Sequence, residues 1–380
     1  MKKLVLTLFL FTIITSCNKE VSDASDAMQI KCIRFGTYHN TLKGVSIFWR
    51  NNSINDSIKW GYSPTFEKGS FAAEYTRTYT NNQFEYTFPV LIARDTIYYT
   101  LFDSQNKSWT DVKKLLTSTD TSSNIFSFTF MGDSRTNFSD WQSVAESVEK
   151  TDFTLFLGDI MDDGKKGKYW DLWFDYGKSF TENNLVFHTL GNHDIGMWYE
   201  KLFPRPNTEV YYSFVQGNAL FICLNSCDAS NSQQDAFLKE QLSLHSDKMW
   251  KIVYFHHPFF SYSNHLISSN IYTWWKTFDD YGVDLVLCGH THNYQRTKPM
   301  ILQNNVASIA TRYGSELGQG RCQIVAGGAG GPLNPPLYQW FTNNSFSFYH
   351  YGKIEINENK LHITVKSVDG ILRDSLTLQK

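Results

Sequence analysis

Acidic, amide and imidazole side chains follow five short apolar segments of this chain, each at the point where the segment ends. The groups are Gly132-Asp133-Ser134-Arg135, Gly158-Asp159, Gly191-Asn192-His193-Asp194, His256-His257-Pro258 and Gly289-His290-Thr291-His292. Carboxylate, amide and imidazole groups are oxygen and nitrogen ligands for divalent metal ions. Taken singly, a Gly-Asp pair is usually a turn and a single histidine usually packs in a core. The five groups together predict a metal site.

Six segments, five of which precede these groups, read as buried strands, because they are apolar without alternation. They are residues 125–131, 153–157, 185–190, 219–224, 250–255 and 283–288. Stretches with helical spacing of apolar residues lie between several of them, at 141–150, 233–244 and 271–281. Strands that alternate with helices predict a layered α/β domain, in which sites lie beyond the carboxyl ends of the strands. The five groups are therefore expected to meet in one crevice. The tail returns to strands, and the domain is predicted to span residues 124–380.

Residues 29–118 have a different pattern, with short β-branched and aromatic runs separated by Asn, Asp, Gly and Pro. Strands at this spacing over about ninety residues predict an all-β fibronectin-like or immunoglobulin-like sandwich. The Ser- and Thr-rich residues 117–124 are the predicted boundary.

The order Asp, Gly-Asp, Gly-Asn-His-Asp, His and Gly-His-x-His resembles the calcineurin-like metallophosphoesterase superfamily. The flanks Gly289-His-Thr-His-Asn-Tyr-Gln-Arg296 and Tyr211-Tyr-Ser-Phe-x3-Asn-Ala-Leu-Phe-Ile222 resemble its purple acid phosphatase-like branch, as does the N-terminal β domain. The resemblance covers residues 125 to about 330 by motif. It implies a four-layer αββα sandwich and the hydrolysis of phosphate mono- or diesters by a metal-activated hydroxide.

The resemblance also implies a role for each site residue. Two divalent metal ions (Fe, Zn or Mn) are expected, and Asp159 would bridge them. Asp133 and His292 would bind the first metal, whereas Asn192, His256 and His290 would bind the second. His193, backed by Asp194, would contact the phosphate as the acid.

Two positions depart from the family. The wider superfamily has a histidine where Arg135 stands, and purple phosphatases have a tyrosine where Asp162 stands. Both are ligands of the first metal in those families, so the first site is predicted to be weak or empty, and no purple iron chromophore is expected. Asp162 or Asp163 would compensate, or would form a solvated acidic turn.

Arg135 itself has two interpretations at this stage, because its guanidinium stays protonated and cannot ligate a metal. It would either donate two hydrogen bonds to the substrate phosphate or replace the charge of the first metal and leave a site with one metal. His257 would point away from His256 into packing or second-layer contacts. His265 would line the mouth of the site, and Tyr294 and Arg296 would position the Gly-His-Thr-His loop.

The first sixteen residues read as a signal peptide, with Lys2 and Lys3 ahead of an apolar run that is too short to span a bilayer. The run ends in Ile14-Thr15-Ser16-Cys17, which resembles a bacterial lipobox. We therefore expect an exported lipoprotein anchored through Cys17, with residues 17–28 as a flexible tether, facing the periplasm or the cell surface.

The composition is that of a globular protein, with 42% apolar and 19% charged residues. The net charge of −2 gives no electrostatic basis for nucleic-acid binding, so none is expected. Two further functions stay open, namely a nucleotide or cyclic-nucleotide phosphohydrolase and a catalytically silent, metal-poor surface scaffold. The sequence leaves the oligomeric state undetermined.

Overall fold

The computed structural model describes residues 30–77, 82–206, 210–261, 270–304 and 306–380. The predicted signal peptide, the tether, Cys17 and His265 lie outside these residues and stay predictions. Within them, no helix is both long enough and apolar enough to cross a membrane.

Residues 31–116 form nine strands and no helix among the described residues. They are β1 (Lys31–Thr37), β2 (Val45–Asn51), β3 (Ser57–Gly61), β4 (Gly69–Ala72), β5 (Glu74–Arg77), β6 (Asn82–Thr87), β7 (Thr96–Asp103), β8 (Ser108–Trp109) and β9 (Lys113–Leu116). One antiparallel sheet has the order β1-β2-β6-β5, and the other has the order β4-β3-β7-β8 with β9 paired to β7. Buried side chains such as Trp49, Phe84 and Tyr99 fill the core of this region. An all-β region at the predicted place is thus present, whereas its fibronectin-like identity stays a prediction.

This β region packs directly against the rest of the chain. The buried Arg50 forms an ion pair with Asp171, and the Tyr99 hydroxyl donates to the carbonyl of Glu182 at 3.0 Å. Removing a charge from a buried pair leaves its partner unpaired at high cost. The contacts therefore hold the two regions in a fixed arrangement.

Fifteen strands follow the boundary. They are β10 (Ile125–Met131), β11 (Phe153–Phe156), β12 (Val186–His188), β13 (Tyr212–Gln216), β14 (Ala219–Cys223), β15 (Trp250–Tyr254), β16 (Leu285–Cys288), β17 (Tyr294–Thr297), β18 (Met300–Gln303), β19 (Val306–Ile309), β20 (Cys322–Ala326), β21 (Thr342–Phe346), β22 (His350–Asn357), β23 (Lys360–Ser367) and β24 (Leu372–Gln379). In the described residues, six α-helices join them, namely α1 (Phe138–Ser147), α2 (Gly167–Tyr176), α3 (Lys178–Thr181), α4 (Met197–Leu202), α5 (Ser232–Leu244) and α6 (Asn270–Tyr281). The predicted helices correspond to α1, α5 and α6.

Two mixed sheets form the centre of this part of the chain. One has the order β12-β11-β10-β22-β23-β24, the other has the order β13-β14-β15-β16-β20-β17-β21, and β18 pairs with β19. Strands β10, β11 and β12 are parallel to one another, as are β14, β15, β16 and β20. The parallel strands are buried on both faces, which explains their unbroken apolar sequences.

Side-chain alternation along the strands builds three apolar layers. In β15, Ile252 and Tyr254 join the cluster between the two sheets, whereas Val253 packs with Leu238 of α5 and Phe278 of α6. On the far face of the other sheet, strand residues pack with tryptophans of α1 and α2. Helices, sheet, sheet and helices therefore follow one another, and the mixed α/β fold with several sheets is confirmed.

A buried ion pair joins the strand after the last histidine motif to the opposite sheet. Arg296 on β17 donates to both carboxylate oxygens of Asp374 on β24, at 2.6 and 2.9 Å, and the Tyr294 hydroxyl donates to the same carboxylate at 2.6 Å. These contacts hold the pKa of Asp374 below its usual range despite its burial. Tyr294 and Arg296 thus fix the strand behind the motif, in line with the positioning role predicted for them.

Replacing Asp374 by Ala is expected to lower the free energy of unfolding by about 3–5 kcal/mol, because it leaves a buried guanidinium unpaired. The control is Asp280→Ala, which removes an exposed ion pair with Lys276 at 2.7 Å and should cost no more than about 0.5 kcal/mol. Chemical denaturation of both variants measures the difference. Equal losses would show that the buried pair has no special role.

Candidate metal centre

The five chemistry-bearing turns meet at the carboxyl ends of the parallel strands, as the sequence predicts. The N–H of Asp133 donates to the carbonyl of Gly158 at 2.9 Å, and the N–H of Gly289 donates to the carbonyl of His256 at 3.0 Å. The His193 N–H donates to Oδ1 of Asp159 at 2.9 Å, which ties the third turn to the second. Finally, the His290 N–H donates to Oδ2 of Asp133 at 2.8 Å, which joins the two sheets.

Four residues of these turns other than glycine have left-handed backbone. Asp133, Arg135, Asp159 and His290 have positive φ angles of 63°, 55°, 51° and 72°. Left-handed backbone is unfavourable for residues other than glycine, and it persists where the surroundings fix it, often at functional sites. Here the strained turns direct four polar side chains into one small volume.

Glycines make room for this convergence. A Cβ atom on Gly289 would lie 2.5 Å from Oδ2 of Asp133 and 2.7 Å from the carbonyl oxygen of Leu157. A Cβ atom on Gly158, whose φ is +85°, would lie 2.8 Å from Nδ1 of His256. Only glycine allows these turns to approach so closely. The glycine-rich segment Gly327–Gly331 also reaches the site, since the Gly331 N–H donates to the Asp133 carbonyl at 2.7 Å.

The His256 ring lies at metal-sharing distance from two of the other atoms assigned to the second metal. Nε2 of His256 is 3.2 Å from Oδ2 of Asp159 and 3.3 Å from Nδ1 of His290. Two atoms that share one tetrahedral metal at about 2.1 Å are separated by roughly 3.4 Å. The carboxylates of Asp133 and Asp159 and the ring of His256 form one candidate metal-holding group.

Three oxygen atoms in the site make no regular hydrogen bond among the described residues, although one of them, Oδ2 of Asp159, is within ion-pair distance of His256 and Arg135. They are Oδ1 of Asp133, Oδ2 of Asp159 and Oδ1 of Asn192, and all three are buried. Buried acceptors are normally satisfied, and leaving one without a donor costs free energy. Acceptor-only atoms beside imidazole nitrogens fit a cation. The set of Asp159, Asn192, His256 and His290 therefore fits a divalent metal.

Hydrogen bonds orient two of the histidines. Nδ1 of His256 lies 2.8 Å from the carbonyl of Leu157, and Nδ1 of His292 lies 2.9 Å from the carbonyl of Pro332. A carbonyl only accepts, so each Nδ1 carries the proton and each Nε2 faces the site, as second-layer contacts commonly arrange metal ligands. Asn334 also holds His292 by accepting its backbone N–H at 2.9 Å. Neither Pro332 nor Asn334 was identified from the sequence, and no local signal marks them.

Electrostatics in the site favour ionised Asp159. Burial opposes its ionisation, but the charges of His256 and Arg135 and the His193 N–H outweigh burial and hold its pKa below the usual range. Burial also opposes charge on His256, yet Asp159 raises its pKa to about 9. A metal that binds here must displace that proton, so binding and deprotonation are coupled.

The family comparison agrees with this geometry. Residues 126–294 match the family model described as calcineurin-like phosphoesterase. The chain carries a calcineurin-like phosphoesterase domain.

Relatives of the domain confirm the resemblance to purple acid phosphatases. One is "Probable inactive purple acid phosphatase 1" of Arabidopsis thaliana, 33% identical over 110 residues, which are 28% of this chain and 18% of that protein. Another is "Nucleotide pyrophosphatase/phosphodiesterase" of Hordeum vulgare, 30% identical over 110 residues, 28% of this chain and 29% of that protein. The matches thus cover less than a third of either relative.

A solved structure shares the fold over almost the whole chain. It is purple acid phosphatase PPD1 from yellow lupin (Lupinus luteus) seeds, with a TM-score of 0.76 and 15% sequence identity. The superposition covers 93% of this chain and 74% of that chain. At this identity the likeness extends to the fold alone.

The structure corrects the predicted contact between Asp194 and the His193 ring. Asp194 does not hold the His193 ring, because its carboxylate accepts from the N–H groups of Met161 and Gly191 at 3.1 and 3.0 Å. Nδ1 of His193 instead lies 2.8 Å from the carbonyl of Asp162. Burial and the nearby charge of Asp159 raise the pKa of Asp194 to about 7. Asp194 is therefore a positioning residue for the turn.

His257 lies closer to the site than predicted. Its ring centroid is 4.5 Å from that of His290, and its Nδ1 lies 2.9 Å from Oγ of Ser226. The ligand atoms of His256, His257 and His290 form a second candidate metal-holding group. On an extended strand end, the His257 side chain would point away from His256. The chain instead bends at these two residues, which brings the His257 ring near His290.

A methyl group at Gly289 tests whether the close approach of the turns builds the metal centre. In Gly289→Ala, the Cβ must displace the Asp133 carboxylate or the Leu157 carbonyl. We expect metal affinity to fall about 10–100-fold, the usual effect of disturbing the support of a metal ligand. Competition titration with a chelator measures the affinity, and a thermal unfolding curve checks folding. Unchanged affinity in a folded variant would contradict the packing argument.

Proposed function

We propose that the chain hydrolyses phosphate mono- or diesters and requires a divalent metal for this activity. The observation that carries the proposal is the cluster formed by the buried Asp159 carboxylate, the buried Asn192 amide oxygen, which has no donor among the described residues, and the imidazoles of His256 and His290. When bound, a divalent metal supplies Lewis acidity and lowers the pKa of water. Oxygen and nitrogen ligands without thiolate suit Mn, Fe or Zn.

His193 is the proposed proton donor. Its backbone N–H is fixed on Asp159, and its Nδ1 is fixed on the carbonyl of Asp162. These contacts leave Nε2, on the opposite side of the ring, as the atom that can reach a phosphate or leaving-group oxygen. A histidine so placed can donate a proton to the leaving oxygen.

The names of two relatives support a narrower substrate class and a competing function. The barley relative is named as a nucleotide pyrophosphatase and phosphodiesterase, which supports a nucleotide diester as substrate. The first Arabidopsis relative is named as probably inactive, which supports a silent scaffold. We propose the enzyme first, because a scaffold needs neither unsatisfied buried acceptors nor a poised His193.

We also propose that the protein is an exported lipoprotein anchored through Cys17. The proposal rests on the positive start, the apolar run and the lipobox-like sequence that ends at this cysteine. The site would then act on phosphate esters outside the cytoplasm.

The activity is tested by hydrolysis of an aryl phosphate monoester, an aryl phosphate diester and a nucleotide diester by the purified full-length chain. Mn²⁺, Zn²⁺ or Fe²⁺ is added, and a parallel sample is treated with chelator. We expect turnover of at least one ester that chelation removes and metal restores. Absence of both bound metal and turnover would contradict the enzyme and favour the scaffold.

Replacing His193 by Ala is expected to lower kcat about 10²–10⁴-fold, the usual contribution of a positioned general acid. Metal content should stay unchanged, because the His193 ring is not among the proposed ligands. The control is His245→Ala at the end of α5, which should retain activity. Steady-state kinetics and metal analysis of both variants measure these effects. Full activity of the His193→Ala variant would show that His193 is not the proton donor.

A further inference from the structure

Arg135 lies inside the cluster of atoms that the resemblance assigns to the first metal. Its Nη2 is 3.2 Å from Oδ2 of Asp159, and its Nε is 3.4 Å from Nε2 of His292. Only 11% of the side chain is exposed. Two of the three expected ligand atoms of the first metal therefore face a guanidinium.

The third atom, Oδ1 of Asp133, lies 3.6 Å from Nε2 of His292. This separation would suit a shared metal, so the ligands alone do not exclude one. The Arg135 guanidinium excludes a metal there, because it is permanently protonated, has no lone pair to offer and borders the same atoms. A divalent cation placed there would meet a fixed positive charge at close range.

The two departures from the family pattern are in contact with each other. Nη1 of Arg135 is 3.3 Å from Oδ1 of Asp162, and the Thr136 hydroxyl donates to the other oxygen of that carboxylate. Asp163 has a different role, since its carboxylate accepts the N–H of Lys165 at 3.1 Å and pairs with Lys166. Asp162 thus serves to hold the guanidinium and is not directed toward a metal.

The backbone also fixes Arg135 in this position. Its φ is 55°, and its N–H lies 3.3 Å from the carbonyl of Asp159. A Cβ atom on Gly331 would lie 3.0 Å from Cγ of Arg135, so the glycine leaves space for the arginine stem. The guanidinium is therefore built into the site from its backbone, its stem and its carboxylate partners.

We infer that the guanidinium of Arg135 takes the place of the first metal, so that the chain binds a single divalent metal at Asp159, Asn192, His256 and His290. This inference rests on the proposed metal dependence and changes the number of cations from two metals to one metal and one arginine. His292 then accepts from Arg135, Asp133 lies beside His292, and neither residue serves a metal.

Metal stoichiometry tests the inference. The full-length chain is saturated with Mn²⁺ or Zn²⁺, freed of unbound metal and analysed by elemental mass spectrometry. We expect about one metal per chain, against about two for a two-metal site. Arg135→His is expected to raise the count to about two, because it restores a neutral ligand that the superfamily has at this position. Histidine is also among the residues that tolerate positive φ.

Three matched variants locate the metal. Arg135→Lys retains the positive charge and should keep the count of the unaltered chain. His292→Asn removes a first-site imidazole and should also leave the count unchanged, whereas His256→Asn removes a second-site imidazole and should abolish binding. As a second readout, Mn²⁺ in the unaltered chain should give the hyperfine-resolved electron paramagnetic resonance spectrum of an isolated ion. Arg135→His should give the altered spectrum of a coupled pair.

Two results would overturn the inference. One is about two metals per unaltered chain with a loss on His292→Asn, because the arginine would then coexist with the first metal. The other is an unchanged count in folded Arg135→His, because something other than the guanidinium would then exclude the metal. Turnover with two metals would leave the proposed function intact, whereas a chain that binds no metal would contradict the proposed function itself.

Discussion

The Asp159 carboxylate is the group on which the rest of the site depends. Its Oδ1 is fixed by the His193 N–H, and its Oδ2 lies 3.2 Å from both His256 and Arg135. The carboxylate therefore joins turns from both sheets, although burial alone would favour its neutral form. The surrounding positive groups keep it ionised. The glycines and the left-handed turns bring those groups within reach of the Asp159 carboxylate.

Arg135 gives the site an asymmetric charge distribution. A metal can exchange, but a guanidinium is permanent and directional, with its donors in a planar fork. Asp162 anchors the fork on one side and Asp159 on the other. Such a cation can serve a phosphate oxygen by charge-assisted hydrogen bonds. Under the proposed single-metal arrangement, the site is organised around one exchangeable cation and one that the chain supplies itself.

The sequence predicted which polar residues meet and at which ends of the strands, because apolar strands and their terminal turns leave a local pattern. It also predicted α1, α5, α6 and the β-rich start. It did not predict which carboxylate Arg135 contacts, that Asp162 and not Asp194 holds His193, or that residues 332–334 hold His292. Those contacts join residues far apart in the chain and depend on how two sheets pack, for which no spacing rule exists. The Arg296–Asp374 pair was missed for the same reason.

Anomalous X-ray scattering from crystals of the chain soaked in Mn²⁺ or Zn²⁺ tests the central claim most directly, because it locates each metal without relying on activity. The structure predicts one peak, bounded by Asp159, Asn192, His256 and His290, with the Arg135 guanidinium between Asp159 and His292. A site without any peak would contradict the metal centre. A peak between Asp133 and His292, with Arg135 turned away, would contradict the replacement of the first metal.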